Sequence, residues 1–256
     1  MSALLQSAPA AEKSGLYVEL ASTPAEVRAS QQLRYRVFAD EMGAQLHSSA
    51  PGFDHDRYDP YCQHLLVRER NSGRIVATTR LLVDEEAARA GGFYSQSEFA
   101  MDAVLALPGR RLDIGRTCVD PGYRQGAAIA VLWSGLAAYV NLHQIDYLFG
   151  CASIELDDGG VRAHAIMDRI RQQAMTDPAL RVTPRHPVPD APAYDQNTVK
   201  APLPPLLKAY FRLGAQAAGE PCYDPDFNVA DVFVLVDVDR IDATYSRHFL
   251  ERSLRA

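Results

Sequence analysis

The sequence predicts an α/β protein built on a central mixed sheet with helices on both faces. Three observations predict it. Short alternating or apolar runs suited to strands recur along the chain, two of them join as a hairpin, and the later ones alternate with helical stretches. Hairpins pair antiparallel and strand-helix-strand units pair parallel, so the two together make a mixed sheet.

Each element has its own signal. LYVELAS (Leu16 to Ser22) alternates as a strand, and Thr23, Pro24 and Glu26 then form a helix start: a cap, a residue suited to the first helical position and the far half of a capping box. That helix is expected to run to about Met42. After a loop rich in Gly, Pro and Asp, HLLVRER and RIVATTRLLV are strands joined across NSG, a hairpin turn with glycine. Residues 84–109 are less regular, with a short helical stretch, before RLDIGRTCV resumes strand character. Ile129, Leu132, Trp133, Leu136, Tyr139 and Val140 follow the spacing of an amphipathic helix. YLFGCASI is a buried strand, VRAHAIMDRIRQQAM a helix and DVFVLVDV a late strand. A Pro-rich connector, 184–205, precedes the helical LLKAYFRLGAQ.

With 256 residues, 47% hydrophobic, the chain has material for a full core, and it reads as one domain over 15–256 behind a disordered lead over 1–14. A net charge of -6 argues against nucleic acid as the main partner, because phosphate binding needs a basic surplus. Cys62, Cys118, Cys151 and Cys222 are scattered without a CxxC pair, which argues against a zinc site and for reduced thiols in a cytosolic protein. The start of the chain resembles neither a signal peptide nor a membrane span, so any membrane contact is expected to be peripheral.

Two stretches carry candidate chemistry. The run from Gly115 to Val140 passes from a strand through Pro-Gly and Arg-Gln-Gly into a helix, an order that either holds an anion on the free amides of the helix start or is a plain cap beside a surface arginine. DHDRYD sets three carboxylates in a loop without the pattern of a calcium site, and is either a substrate-positioning loop tied to Arg34 and Arg36 or a solvated one. His64 follows it, as a proton relay or a structural histidine.

LRYRVF, FDHDRYDPYCQHLLV, GRIVATTRLL, FYSQSEF, LDIGRTCVDPGYR, LFGCASI and LPPLLKAYFRLGA together resemble the bacterial ornithine N-acyltransferases, hemolysin-like proteins of the GNAT acyl-CoA N-acyltransferase fold. More distantly the chain is similar to acyl-homoserine lactone synthases. The resemblance implies transfer of a 3-hydroxyacyl chain from acyl carrier protein to the α-amine of ornithine, giving lyso-ornithine lipid. Acylation of another amino acid such as glutamine or lysine, or lactone-type signal synthesis, is the alternative. No cofactor is implied beyond the phosphopantetheine arm that arrives with the donor.

The same resemblance assigns residues. Arg34, Phe38, Asp56, Asp59 and Arg80 fall on substrate-binding positions, and Asp113 and Arg116 on the catalytic pair, with Asp113 standing where both families usually carry glutamate. Val119, Arg124, Gln125, Gly126 and Ala128 fall on donor-binding positions. There the usual phosphate cradle is degraded, since Tyr123 takes its basic place, and this fits a donor with a single phosphodiester. In a regular strand Asp113 and Arg116 would face opposite sides; a bulge at Gly115 would bring them together and free an amide for an oxyanion, while the alternative is an ordinary edge ion pair. Cys118 is expected to be core, because the amine attacks directly. Arg110, Arg111, Arg124, Lys208 and Arg212 are candidates for a basic face toward the acidic carrier protein. The apolar PPLLKAYFRLG lines the acyl tunnel or rests on the inner-membrane surface.

Overall fold

A computed structural model describes residues 15–195 and 199–241, so the expected lead over 1–14 lies outside the described residues. In chain order its regular elements are β1 (Leu16–Leu20), α1 (Pro24–Tyr35), β2 (Gln63–Glu69), β3 (Ile75–Val83), α2 (Asp84–Ala90), β4 (Phe99–Ala100), α3 (Asp102–Leu105) and β5 (Arg111–Val119). They continue as α4 (Ala127–His143), β6 (Tyr147–Glu155), α5 (Val161–Gln173), β7 (Thr183–Pro184), α6 (Pro205–Arg212), β8 (Gln216–Ala217), β9 (Cys222–Asp224) and β10 (Val229–Asp237). Contacts group these into two compact units, one of residues 15–91 and 114–145, the other of 92–113 and 146–241, with β5 beginning in the second and ending in the first.

In the first unit β1 runs antiparallel to β2, Leu16 opposite Glu69, and β2 antiparallel to β3, Gln63 opposite Leu81. The hairpin turns where expected, on Gly73. Helix α1 starts as its sequence dictates: the Glu26 amide donates to Thr23 Oγ1 at 3.3 Å and the Glu26 carboxylate accepts from the Thr23 amide at 3.0 Å. It does not end at Tyr35. Arg36–Glu41 widen into a π-helical turn, in which Met42 N donates to Val37 O at 3.1 Å.

Eight successive residues of β3 are buried, so the strand is covered on both faces, with α1 packed on it and α4 laid across β1, β2 and β3. The buried stripe of α4 is Ala128, Val131, Leu132, Gly135, Leu136, Tyr139 and Val140, which leaves Ile129 and Trp133 at its margin rather than in its centre. The cause is Gly135. A Cβ there would lie 2.5 Å from Val18 Cγ2, so the helix seats closest to β1 at the one residue without a side chain, and its apolar face is centred on that contact.

In the second unit β5 pairs parallel with β6 over Arg111 to Asp113, and β6 pairs antiparallel with β10 along nine residues, making this sheet mixed. The short β8 and β9 add to β10, and β4 pairs with β7. Helices α5 and α6 pack on β6. The core of this unit is aromatic: Phe93 meets Phe149 edge-on at 5.0 Å, Phe149 stacks on Phe233 at 5.5 Å, and Phe233 meets Phe99 at 5.5 Å. Among the described residues no helix is long and apolar enough to cross a membrane.

Candidate active site

The charged residues of α1, the 43–62 loop, β3 and β5 converge in the first unit. Arg34, in the last turn of α1, is buried at 1% exposure. Its Nε donates to Asp54 Oδ2 at 2.8 Å, and its two terminal nitrogens donate to the two oxygens of Asp59 at 2.9 and 3.0 Å. The loop is further stitched to the helix by Asp54 N donating to Gln31 O at 3.1 Å. From β3, Arg80 Nη1 donates to Asp56 Oδ1 at 2.7 Å and lies 3.4 Å from Asp59 Oδ2. From β5, Arg116 sets Nε 3.4 Å from Asp54 Oδ2 and Nη2 4.0 Å from Asp56 Oδ2.

Three arginines from three elements thus meet three aspartates from one loop. The loop bends tightly enough to supply them because its own carboxylates take its amides, Asp59 from Asp56 N and Asp56 from Tyr58 N, each at 2.8 Å. Burial pushes Asp59 toward its neutral form, but the charges of Arg34 and Arg80 outweigh it and hold the carboxyl below its ordinary range. Two members are not fully enclosed: the side chains of Asp56 and Arg116 are 24% and 16% exposed. Arg36 is exposed, so the arginine that ties the loop to the helix is Arg34, and Phe38 is buried in the π-helical turn.

His64 lies against this cluster, with Nδ1 3.4 Å from Ser30 Oγ and Nε2 3.4 Å from Asp59 O. Burial lowers its pKa to about 4, against the pull of Asp59, so at neutral pH the ring is uncharged and fixed. Cys118 is buried and its thiol is pushed up to about 12 by that burial, which suits core packing and not a nucleophile.

The backbone of β5 departs from a regular strand at Arg116, whose φ of 52° is in the left-handed region, one residue beyond the expected bulge at Gly115. A non-glycine residue held there costs of order 1–3 kcal/mol, and such strain collects at functional sites. Alternation along the strand breaks with it: Leu112, Asp113 and Ile114 are buried in succession, and the next three residues are only half-buried.

In the second unit Asp113 is buried, and its carboxylate accepts two hydrogen bonds from Ser95, at 2.8 Å from the amide and 3.0 Å from the hydroxyl. Ser95 belongs to FYSQSEF, which sequence reading marked as a motif without a role for this residue.

The loop between β5 and α4 is tightened by Asp120, which accepts from Gly122 N at 3.1 Å and pairs with Arg74. Gly126 is the N-cap of α4, with φ 101°, and no side chain caps the helix, so the amides of its first turn stand open beside Arg124 and Gln125. Arg124 donates to Val119 O at 3.0 Å and forms a two-pronged pair with Glu41 at 2.5 and 2.8 Å. Ala128 is wholly buried and supports the turn from inside. Of the basic residues considered for carrier docking, Arg111 donates to Leu105 O, while Arg124, Lys208 and Arg212 are exposed.

With this geometry in hand, the comparisons with known proteins are consistent among themselves. Residues 33–134 match the acetyltransferase (GNAT) domain. An L-ornithine N(alpha)-acyltransferase of Brucella abortus is 36% identical over 251 residues, 91% of this chain and 88% of that protein. Its namesake in Rhodobacter capsulatus is 33% identical over 250 residues, 92% and 95% of the two chains. Among solved structures, FeeM, an N-acyl amino acid synthase from uncultured soil microbes, aligns with a TM-score of 0.52 at 12% identity, covering 94% of this chain and 98% of its own. The AHL synthase LasI aligns at 0.51 and 12%, covering 92% and 95%. At that identity these two structures show a shared fold.

Proposed function

From the premise that the chain belongs to the L-ornithine N(alpha)-acyltransferase family and is an acyltransferase of GNAT fold, we propose that it joins a 3-hydroxyacyl chain, delivered by acyl carrier protein, to the α-amine of ornithine. The observation that carries the reading is the pair of partly exposed, opposite charges at the edge of the buried cluster, Asp56 and Arg116. Ornithine is itself a cation with a carboxylate. Arg116 suits the carboxylate and Asp56 the side-chain ammonium, while Arg34, Asp54, Asp59 and Arg80 hold these two in place.

The reaction needs no covalent enzyme intermediate. The neutral α-amine attacks the thioester carbonyl, the C–N bond forms, the C–S bond breaks, and the thiol of the pantetheine arm leaves with a proton. Asp113 is the acceptor for the proton that the amine loses. The open amides at the start of α4, with Arg124, meet the phosphate of the arm, and one phosphodiester is all that this reduced cradle suits. The product is an amphiphile, which favours work in the cytoplasm at the inner-membrane surface.

Incubating the protein with a panel of acyl carrier protein and acyl-CoA thioesters and a panel of amino acids, with products read by mass spectrometry, tests the proposal. A 3-hydroxyacyl ornithine amide from the carrier-bound donor is the expected product. Preference for another amino acid, or equal kcat/KM with the matching acyl-CoA, would overturn the acceptor or the donor assignment respectively.

A further inference from the structure

Asp113 needs a fixed orientation to serve as a proton acceptor, and a buried carboxylate does not orient itself. Its two oxygens are addressed separately by one residue: Ser95 N donates to Oδ2 at 2.8 Å and Ser95 Oγ to Oδ1 at 3.0 Å. The hydroxyl donates as the amide does, so each carboxylate oxygen accepts one bond from Ser95. Two donors from one rigid residue fix both the position and the plane of the carboxylate.

Ser95 is rigid for reasons visible around it. It is fully buried in a short 3₁₀ turn, Tyr94–Ser97. That turn is closed by Gln96, whose Oε1 accepts from Phe93 N at 2.8 Å, and by Arg185, whose Nε donates to Gln96 O at 2.8 Å. On its two sides Phe93 and Phe99 are anchored in the aromatic core, on Phe149 and Phe233. The turn therefore has little freedom to withdraw its donors. The hydroxyl also accepts from Cys151 Sγ on β6 at 3.9 Å, and burial, with the charges of Glu98, Asp231 and Asp113 behind it, pushes that thiol well above its ordinary range, so it stays protonated and able to donate.

We infer that Ser95 is a positioning residue for the acyl transfer, fixing the place and the plane of the Asp113 carboxylate. The inference rests on the reading of Asp113 as the proton acceptor, and its test separates the two. Ser95→Ala, Ser95→Thr, Asp113→Asn and the double variant Ser95→Ala/Asp113→Asn are assayed with 3-hydroxyacyl carrier protein and ornithine across pH, beside thermal melts. Ser95→Ala is expected to lower kcat roughly 10-fold with little change in either KM, and to move the acid limb of the rate profile up by about one pH unit, because the ionised form has lost a donor. Ser95→Thr keeps the hydroxyl and should restore both. In the Asp113→Asn background, Ser95→Ala should add almost nothing to the loss, since both changes remove the same device. Should alanine fail to fold, Ser95→Cys keeps the volume, weakens the donor and repeats the measurement. A wild-type pH profile in Ser95→Ala, or losses that multiply in the double variant, overturns the inference while the base assignment stands. An active Asp113→Asn removes the base assignment itself, and the inference with it.

Discussion

The two units handle buried carboxylates in opposite ways. In the first, Asp54, Asp56 and Asp59 meet Arg34, Arg80 and Arg116, charge against charge. In the second, Asp113 is addressed by the neutral amide and hydroxyl of Ser95. An ion pair locks a carboxylate in its charged form and resists any exchange of proton, because releasing it leaves an uncompensated charge behind. Neutral donors fix the geometry of a carboxylate without bringing a charge of their own. The first arrangement suits a scaffold that presents two charges at its edge, the second a group that must change its protonation state during a reaction.

If this contrast is right, the largest effect of any single change belongs to the scaffold. Arg34→Met leaves Asp54 and Asp59 buried without their main cation and should cost roughly 3–5 kcal/mol, read by chemical denaturation. A loss under about 1 kcal/mol, as for an exposed pair, would break the comparison.

The same cluster makes a pH signature. Folded His64 takes up a proton only near pH 4, whereas the unfolded ring does so near 6.5. Between these values the unfolded state binds more protons, so stability is full above about pH 6.5 and falls as pH is lowered, by about 3 kcal/mol in total. Asp59, held below its ordinary range by Arg34 and Arg80, adds a further loss only in stronger acid. His64→Gln should flatten the upper window and leave the lower one, and an unchanged slope in denaturation curves across pH would place the titrating group elsewhere.

Asp113→Asn should show the reverse profile, with melting close to the parent and kcat lowered roughly 10²-fold or more, as loss of a general base does. Asp113→Glu should keep activity. An active but much less stable Asn variant would make Asp113 a scaffold residue like its counterparts in the first unit.

The smallest effect concerns the donor. Arg124→Ala should raise the KM for the carrier-bound thioester by about 10-fold with kcat held, since the partner proposed for it is a phosphate remote from the reacting carbon. Glu41→Gln, which frees Arg124 from its present partner, should lower that KM; a pure kcat effect in either variant argues against a phosphate contact.

Much of this was legible in sequence. The capping box at Thr23, the hairpin across Gly73 and the strand-helix order from Arg111 to Glu155 are local signals, and the structure keeps them. The family pattern also named Arg34, Asp56, Asp59, Arg80 and Arg116, which the structure brings into one network. Ser95 was not legible as a partner of Asp113, because it lies in an irregular stretch where no periodicity says which way a side chain faces. The Arg124 and Glu41 pair spans 83 positions, a separation that only folding closes. Strands β4, β7, β8 and β9 have two or three residues each, too few to show alternation. The left-handed Arg116 runs against the preference of its residue type, and so leaves no compositional trace.

The π-helical turn at Arg36–Glu41 can also be read as an insertion carried in the gene. Such a turn holds one residue more than an α-helix needs over the same rise, and each α-helical residue turns the chain by about 100°. Deleting Ala39 would let the turn close into ordinary α-helical register, and because the wide turn already absorbs the extra residue, Glu41 would keep the face from which it reaches Arg124. A single codon, far from β5 and α4 in the reading frame, is thereby carried without disturbing the pair between that glutamate and the arginine beside the open helix start.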